Sequence, residues 1–158
     1  MARVKKIKKR QIKPDLLYGN KLLARFTNTL MRNGKKHVAQ SLVYSAFDKI
    51  KEKGLDPLEV FQTALQNVGP RMEVRPRRVG GASYQVPTEV RGERRISLAI
   101  RWIINSAQNR SNKEFHTFTD KLVAELVDAY NNTGEAIKKR DIVYRTAEAN
   151  KAFSHFRW

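Results

Sequence analysis

Apolar residues recur at intervals of three and four along most of the chain, the spacing that gathers them on one face of a helix. The first three such faces are Leu22, Leu23, Phe26 and Leu30, then Val38, Leu42, Ala46 and Ile50, then Phe61, Ala64, Leu65 and Val68. Each ends at a helix-stop signal, namely Asn33-Gly34, Gly54 and Gly69-Pro70. The third helix also has a strong start, because Asp56 can cap it, Pro57 suits its first position and Glu59 completes a capping box.

Between Met72 and Val90 apolar and polar residues alternate on both sides of Gly80-Gly81. This pattern predicts a β-hairpin closed by a primed two-residue turn. Pro76 and Pro87 cannot donate ladder hydrogen bonds, so neither strand can be central in a larger sheet. We therefore expect a free two-stranded ribbon, called the arm below. Such a ribbon is marginal alone in water, so it makes physical sense if a partner completes it.

Helical spacing returns after the arm. The fourth and fifth faces are Ile96, Ala99, Ile100 and Ile103, with Trp102 on the same helix, and then Leu122, Leu126 and Ala129. Ser111 and Glu114 form a capping box that we expect to open the fifth helix. We expect Asn131-Asn132 to break that helix and Thr133 to cap a sixth one, which begins near Glu135.

The pattern as a whole predicts a mainly α protein, a single domain of six helices with an extended two-stranded β-hairpin arm between the third and fourth. We expect this domain to span residues 14–158. Residues 1–13 hold seven cations and no acid. Such a block repels itself, so we expect it to be an unstructured tail when free.

The charge balance points to a polyanionic partner. Of the 158 residues, 32 are Lys or Arg and 15 are Asp or Glu, which gives a formal net charge of +17. A field of that strength favours a phosphate backbone or an acidic surface, while 41% hydrophobic residues indicate a folded domain. The chain has no cysteine, which excludes disulfides and thiol chemistry. With no apolar run of membrane-spanning length and no signal-peptide pattern, we expect a location in the cytoplasm or inside an organelle.

Basic residues gather in three places that we interpret as nucleic-acid contacts. The tail carries Arg3, Lys5, Lys6, Lys8, Lys9 and Arg10; the junction of the first two helices carries Lys35 and Lys36; the arm and its exit carry Arg75, Arg77, Arg78, Arg91, Arg94 and Arg95. Arginine suits this role because its planar fork binds phosphate through two nitrogens and stacks on bases. Tyr84, near the turn, could stack on an unpaired base. The alternatives are a solvated tail and a surface hairpin that is merely solvated or docks on a protein.

Nothing in the sequence predicts catalysis. The pair Gly34-Lys35 resembles part of a phosphate-binding loop, but Thr29 stands where the upstream glycine is required. The three histidines are isolated, so we expect no metal and no other cofactor. The stretch EAIKKRD, residues 135–141, is most simply a solvated helix face with intrahelical ion pairs, although Lys138, Lys139 and Arg140 could touch RNA.

Three stretches resemble the family of bacterial-type small-subunit ribosomal protein number seven. They are ARFTNTLMRNGKKHVAQSLVYSAF, then DPLEVFQTALQNV leading into EVRPRRVGGASYQVPTEVRGERR, and AEANKAFSHFRW. Together they cover nearly the whole chain in order, and RRVGGASYQVP is long and distinctive. The resemblance implies the same fold: six helices with the hairpin between the third and fourth.

The resemblance also implies a function. Members bind the 3′ major domain of small-subunit rRNA (16S) directly, nucleate assembly of the subunit head, and lie at the subunit interface near the decoding region and the exit-site tRNA. Expected partners are that rRNA, small-subunit proteins nine and eleven, exit-site tRNA and mRNA, with no membrane and no small-molecule substrate. The basic residues above would contact rRNA. The residues facing mRNA and tRNA would be Arg78, Gly80, Gly81 and Tyr84 in the arm, and Lys138, Lys139, Arg140 and Tyr144 in the last helix.

This chain departs from the family pattern at three positions. Pro76 stands where a small residue is common, Gly92 where a proline is common, and Tyr144 where a histidine is usual. We expect the fold to tolerate all three. The features they affect are the bend of the arm and the tRNA contacts of the last helix.

Two other classes of function remain open. An architectural DNA-binding protein could use a helical body and a proline-bearing basic arm to bend a minor groove, although Gly80-Gly81 offers no apolar wedge. A small enzyme acting on RNA would need an acid–base pair, and the sequence shows no candidate. Ribosomes of bacteria and of organelles are equally compatible with the sequence.

Overall fold

The computed structural model describes residues 11–156. The chain divides into two compact units, with the boundary between Gln40 and Ser41. The predicted division into a tail, residues 1–13, and a domain, residues 14–158, stays a prediction.

The first unit contains helix α1, Lys21–Leu30, and the first residues of helix α2, Lys36–Glu52. The Asn20 side chain caps α1 by accepting from the backbone N–H groups of Leu22, at 2.8 Å, and Leu23, at 3.4 Å. The predicted face of α1 is confirmed, because Leu23, Phe26 and Leu30 are buried and Leu22 is half-buried. After α1 the backbone turns at Asn33 and Gly34, with φ values of 52° and 73°.

The predicted inward face of α2 is partly wrong. Val38 is 55% exposed, and the buried residues of the helix are Ala39, Val43, Ala46, Phe47 and Ile50. A face that starts at residue 38 and one that starts at residue 39 both have helical spacing. Local periodicity alone therefore could not choose between them.

In the second unit, helix α3 spans Pro57–Val68. Asp56 caps it by accepting from the Leu58 N–H at 3.1 Å, and Gly69 ends it, as predicted. The predicted face is buried, and the Phe61 ring packs on Phe47 with centroids 5.9 Å apart. Helices α3, α4 (Gly92–Asn109) and α5 (Phe118–Tyr130) pack together to form the core of this unit.

The arm consists of antiparallel strands β1, Met72–Val79, and β2, Ala82–Glu89. Gly80 and Gly81 join them with φ values of 56° and 89°. Positive φ at both central positions is the requirement of the primed turn that the sequence predicts. In the described part of the chain these strands form a sheet of two strands only, as expected.

The arm is nevertheless not a free ribbon. Val86 and Pro87 of β2 are buried. Strand β1 packs against helix α6, Glu135–Ala149, and β2 packs against a 3₁₀ segment, Lys151–Phe156. The prolines correctly exclude a larger sheet, but they say nothing about helices lying on the face of the ribbon.

One predicted helix start and one predicted helix cap are wrong, whereas α6 begins at Glu135 as predicted. Ser111 accepts from the Lys113 N–H at 3.2 Å within a turn, and α5 begins later, where Thr117 caps it by accepting from the Asp120 N–H at 3.2 Å. Thr133 does not cap α6, because its hydroxyl donates to the Asp128 carbonyl at 3.0 Å. Residues 11–156 thus hold six α-helices and one 3₁₀ segment.

Candidate nucleic-acid interface

The base of the arm holds an ion cluster that sequence reasoning missed. Glu73 is 7% exposed, and both of its oxygens accept from Arg94 Nε at 2.8 Å, while Oε1 also accepts from Arg75 Nε at 2.5 Å. Burial raises the pKa of Glu73, but the hydrogen bonds and charges of Arg94 and Arg75 outweigh that effect and leave the pKa below its ordinary value. We call these three residues the arm-base cluster. It joins β1 to the first turn of α4.

The two guanidinium groups of this cluster still face water. The side chains of Arg75 and Arg94 are 48% and 51% exposed. Glu73 supplies one negative charge against their two positive charges, so the cluster keeps a net positive charge at the surface. It can therefore accept a phosphate without first losing its internal pairing.

At the turn of the arm, Arg78, Gly80 and Gly81 are exposed, as a contact with RNA requires. Tyr84 lies opposite Arg77 in the strand register and is half-buried. Its ring packs against Phe153 at 5.3 Å and Phe156 at 5.2 Å between centroids. The ring predicted to stack on a base therefore takes part in an aromatic cluster with the 3₁₀ segment.

Two of the predicted RNA-binding arginines hold the carboxyl end of α3. Arg95 donates from Nε to the Gly69 carbonyl at 2.9 Å and from a terminal nitrogen to the Gln66 backbone carbonyl at 3.2 Å. Arg140 donates to the Asn67 carbonyl at 2.7 Å. Since α3 has no basic residue in its own last turn, these side chains supply the positive charge that a helix carboxyl end favours. A Cβ at Gly69 would lie 2.9 Å from Arg95 Cγ, which explains the glycine there.

The remaining predicted contacts of α6 are exposed or partly engaged. Lys138 pairs with Glu135 at 2.7 Å, one turn earlier, which confirms the expected intrahelical ion pair. Lys139 is exposed, and its Nζ lies 5.9 Å from the centre of the Trp102 ring. The Tyr144 hydroxyl accepts from the Arg71 N–H at 2.9 Å.

Arg91 is exposed at the start of α4, the helix whose first turn carries Arg94 of the arm-base cluster. In the first unit, Lys35 and Lys36 are exposed where α2 begins. The tail residues that we predict to bind RNA, Arg3, Lys5, Lys6, Lys8, Lys9 and Arg10, lie outside the described residues.

A second ion cluster lies inside the second unit. Arg110 donates from Nε to Glu125 at 2.7 Å and from a terminal nitrogen to Asp128. Burial lowers the pKa of Arg110, but the hydrogen bonds and charges of Asp128 and Glu125 outweigh this and raise it above its ordinary value. Glu125 is fully buried and also accepts from the Ala136 N–H at 3.0 Å, which caps α6. We call Arg110, Glu125 and Asp128 the body cluster.

Other kinds of site are not found among the described residues. They contain no group of three or more His, Asp or Glu placed to hold a metal ion. None of their helices is both long and apolar enough to cross a membrane. Within the second unit, the geometry offers exposed guanidinium groups along the arm and the start of α4, a surface suited to phosphates.

Comparison with known proteins gives consistent results. The model of a family described as "Ribosomal protein S7p/S5e" matches residues 2–151. Small ribosomal subunit protein uS7 from Thermomicrobium roseum is 55% identical to this chain, and uS7 from Caldicellulosiruptor bescii is also 55% identical. The protein of the same name from Streptococcus suis is 53% identical. Each comparison covers 100% of both chains.

Proposed function

The chain belongs to the ribosomal protein S7p/S5e family, and from this premise we propose that it binds small-subunit rRNA directly and organises the head of the subunit. As a member of that family it is a structural, non-enzymatic protein of the small ribosomal subunit that takes part in translation. The observation that carries the finer proposal is the set of exposed arginines on the arm and at the start of α4. They are Arg75, Arg78, Arg91 and Arg94.

The proposed mechanism is electrostatic and geometric. Guanidinium groups on the arm and on the first turn of α4 neutralise phosphates and release condensed counterions. Shape and single-stranded junctions supply the specificity, because side chains cannot read the deep major groove of an RNA helix. The arm-base cluster supports this mechanism, because it fixes β1 to α4 and so presents both sets of arginines in one orientation.

We assign the rRNA target to the 3′ major domain of 16S rRNA, and we propose that the protein nucleates assembly of the subunit head there. The exposed turn of the arm, Arg78 to Gly81, and the exposed side of α6 are proposed to face exit-site tRNA and mRNA. The further partners are small-subunit proteins nine and eleven. We place the protein in a ribosome of the cytoplasm, with an organelle ribosome as the alternative.

Competition binding tests this proposal against the DNA-binding alternative. The full chain is bound to a labelled, folded fragment of the 3′ major domain and challenged with unlabelled fragment or with duplex DNA. We expect the RNA fragment to displace the label and duplex DNA at the same concentration to leave it bound. Equal displacement by duplex DNA would overturn the proposal.

The same complex gives two further readouts. For about six to ten neutralised phosphates, affinity should fall on the order of a thousandfold between 50 and 200 mM salt. The recovered RNA should be intact. Cleavage that disappears when one histidine is substituted would instead favour the alternative of a small enzyme acting on RNA.

A further inference from the structure

A cleft of about 530 Å³ lies where α3 ends, β1 begins and α6 passes beside them. All of its lining residues belong to the second unit. Three of them are arginines, and none of the described residues that line it is acidic. The lining includes Gln66, Arg71, Met72, Arg95, Arg140 and Tyr144. The cleft is therefore a concave, positively charged site beside the arm. Arg71, Met72 and Gln66 are not among the predicted contacts.

Two of the arginines are held in place. Arg95 uses Nε and one terminal nitrogen on the carbonyls at the end of α3, which leaves its other terminal nitrogen without a hydrogen bond among residues 11–156. Arg140 is fixed by the Asn67 carbonyl and by Asp141, at 2.7 Å each. The walls of the cleft are thus preorganised, which lowers the entropic cost of binding there.

Arg71 differs from both, because its backbone is fixed and its side chain is not. Its N–H donates to the Tyr144 hydroxyl, whereas its guanidinium is exposed and has no hydrogen bond or ion pair within the described part of the chain. A guanidinium has five donors and no acceptor, so its partners are hydrogen-bond acceptors, among which an anionic oxygen binds most strongly. A phosphate entering the cleft would meet Arg71 and the spare nitrogen of Arg95.

The volume and the other lining residues of the cleft suit a base as well as a phosphate. Its volume falls in the range of about 300–1,000 Å³ typical of small-molecule sites. The half-buried side chains of Tyr144 and Met72 give it apolar surface, and the exposed Gln66 amide offers both a donor and an acceptor. Unpaired RNA bases are recognised by aromatic or guanidinium stacking together with hydrogen bonds to their edges.

We propose that this cleft holds one unpaired nucleotide of the bound RNA. The phosphate lies against Arg71 and Arg95, and the base lies against Tyr144 and Met72 with its edge at Gln66. This inference rests on the proposed RNA-binding function and adds a single-nucleotide site to it.

The test compares three variants of the full chain with the wild type. Arg71→Ala and Gln66→Ala remove exposed side chains of the cleft, and Arg101→Ala removes an exposed arginine of α4 that does not line it. With the 3′ major domain fragment we expect Arg71→Ala to lower affinity about tenfold, and Arg101→Ala less than about twofold. Gln66→Ala should lower affinity about threefold without changing the salt dependence, because it removes a base contact and no charge.

Chemical probing of the saturated complexes locates the effect. One unpaired nucleotide should be protected by the wild type and by Arg101→Ala, and should become reactive in both cleft variants while the rest of the footprint is unchanged. Identical footprints for all four proteins would overturn the cleft proposal and leave the RNA-binding function standing. Failure of the wild type to bind the fragment would overturn both.

Free nucleotide and inorganic phosphate distinguish the source of the ligand. We expect AMP or phosphate at millimolar concentration to leave the RNA complex intact. As a folding control, we expect the circular dichroism of the cleft variants to match that of the wild type. Tight binding of AMP alone, lost in Arg71→Ala, would overturn the RNA assignment in favour of a soluble nucleotide. A cleft variant that lost its helical signal would show that the side chain is structural.

Discussion

The arm-base cluster and the body cluster both join guanidinium groups to carboxylates, and they differ in the ratio of the two groups and in their access to water. In the body cluster the Arg110 side chain is 15% exposed and Glu125 is fully buried. In the arm-base cluster Glu73 is buried in the same way, but Arg75 and Arg94 are about half exposed. The body cluster keeps Arg110 and Glu125 inside the fold, with Asp128 partly exposed, and the arm-base cluster presents its positive groups outward.

This contrast indicates how a strongly basic chain divides its arginines between folding and binding. In the body cluster two carboxylates face one guanidinium, so the cation is fully compensated and one negative charge is left over. In the arm-base cluster one carboxylate faces two guanidinium groups, which leaves positive charge for a phosphate. Losing the guanidinium should therefore cost stability in the body cluster, and losing a guanidinium should cost RNA affinity in the arm-base cluster.

The largest effect is expected from Arg110→Ala. The substitution leaves Glu125 buried without its cation, and removing one partner of a buried pair costs about 3–5 kcal/mol. The free energy of unfolding, measured by urea denaturation, should fall by that amount. Arg101→Ala, which removes an exposed arginine, should change it by less than about 0.5 kcal/mol.

Glu125→Gln is the companion variant, because its amide oxygen can still accept from the Ala136 N–H. We expect its loss of stability to be smaller than that of Arg110→Ala. If Arg110→Ala unfolds at the same urea concentration as wild type, the body cluster does not stabilise the fold and the contrast with the arm-base cluster fails.

An intermediate effect, seen mainly in binding, is expected from replacing Arg75, Arg77 and Arg78 together with Ala. Affinity for the rRNA fragment should fall about tenfold or more, and the salt dependence should become less steep, because phosphate contacts are lost. Circular dichroism should keep its helical signal. Binding isotherms at two salt concentrations measure both quantities.

The matched control removes the same charge elsewhere in the second unit. Lys51, Lys53 and Arg101 are exposed and lie outside the arm, so their joint replacement by Ala tests net charge alone. If both triple variants lose affinity equally, the arm has no specific part in binding. Loss of helical signal in the arm variant would mean that its arginines are structural.

The smallest effect is expected from Glu73→Gln, and it depends on pH. The pKa of Glu73 in the folded protein lies below its ordinary value of 4.5, because the hydrogen bonds and charges of Arg94 and Arg75 outweigh its burial. The resulting stabilisation is present above that ordinary value and is lost as the pH falls through the lower folded value. Because both arginines are half exposed, we expect a difference of only about 1 kcal/mol at pH 7.

Urea denaturation of wild type and Glu73→Gln across pH 3 to 7 checks this expectation. The gap between the two proteins should be constant near neutrality and close below about pH 4. A gap that persists unchanged at the acid end would show that the carboxylate charge is not what joins the arm to α4.

Local signals predicted much of the fold correctly. The alternation around Gly80-Gly81 predicted the hairpin, and Asp56-Pro57 predicted the start of α3, because each of these signals acts within a few residues. The errors arose where two local signals competed. Val38 and Ala39 begin equally good helical faces, and Ser111 and Thr117 are both good caps, so only packing could choose between them.

The candidate site was predictable in composition and not in detail. Net charge and the arginine-rich arm pointed to a polyanion, and the arm does carry exposed arginines. The sequence could not show that Arg95 and Arg140 hold the end of α3, since Arg140 lies 73 positions from the Asn67 carbonyl that it binds. Nor could it show that Tyr84 packs on Phe153 and Phe156.

By itself, the sequence determined the helical periods, the closed turn of the arm, the excess of positive charge and the resemblance to a family, because each is carried by residue type and short-range spacing. Only the tertiary structure decided which cations serve the fold and which face solvent. Whether an arginine stabilises the fold or can bind a phosphate depends on the carbonyls and carboxylates that packing brings to it. Those partners come from other helices and strands, whose positions no local pattern encodes.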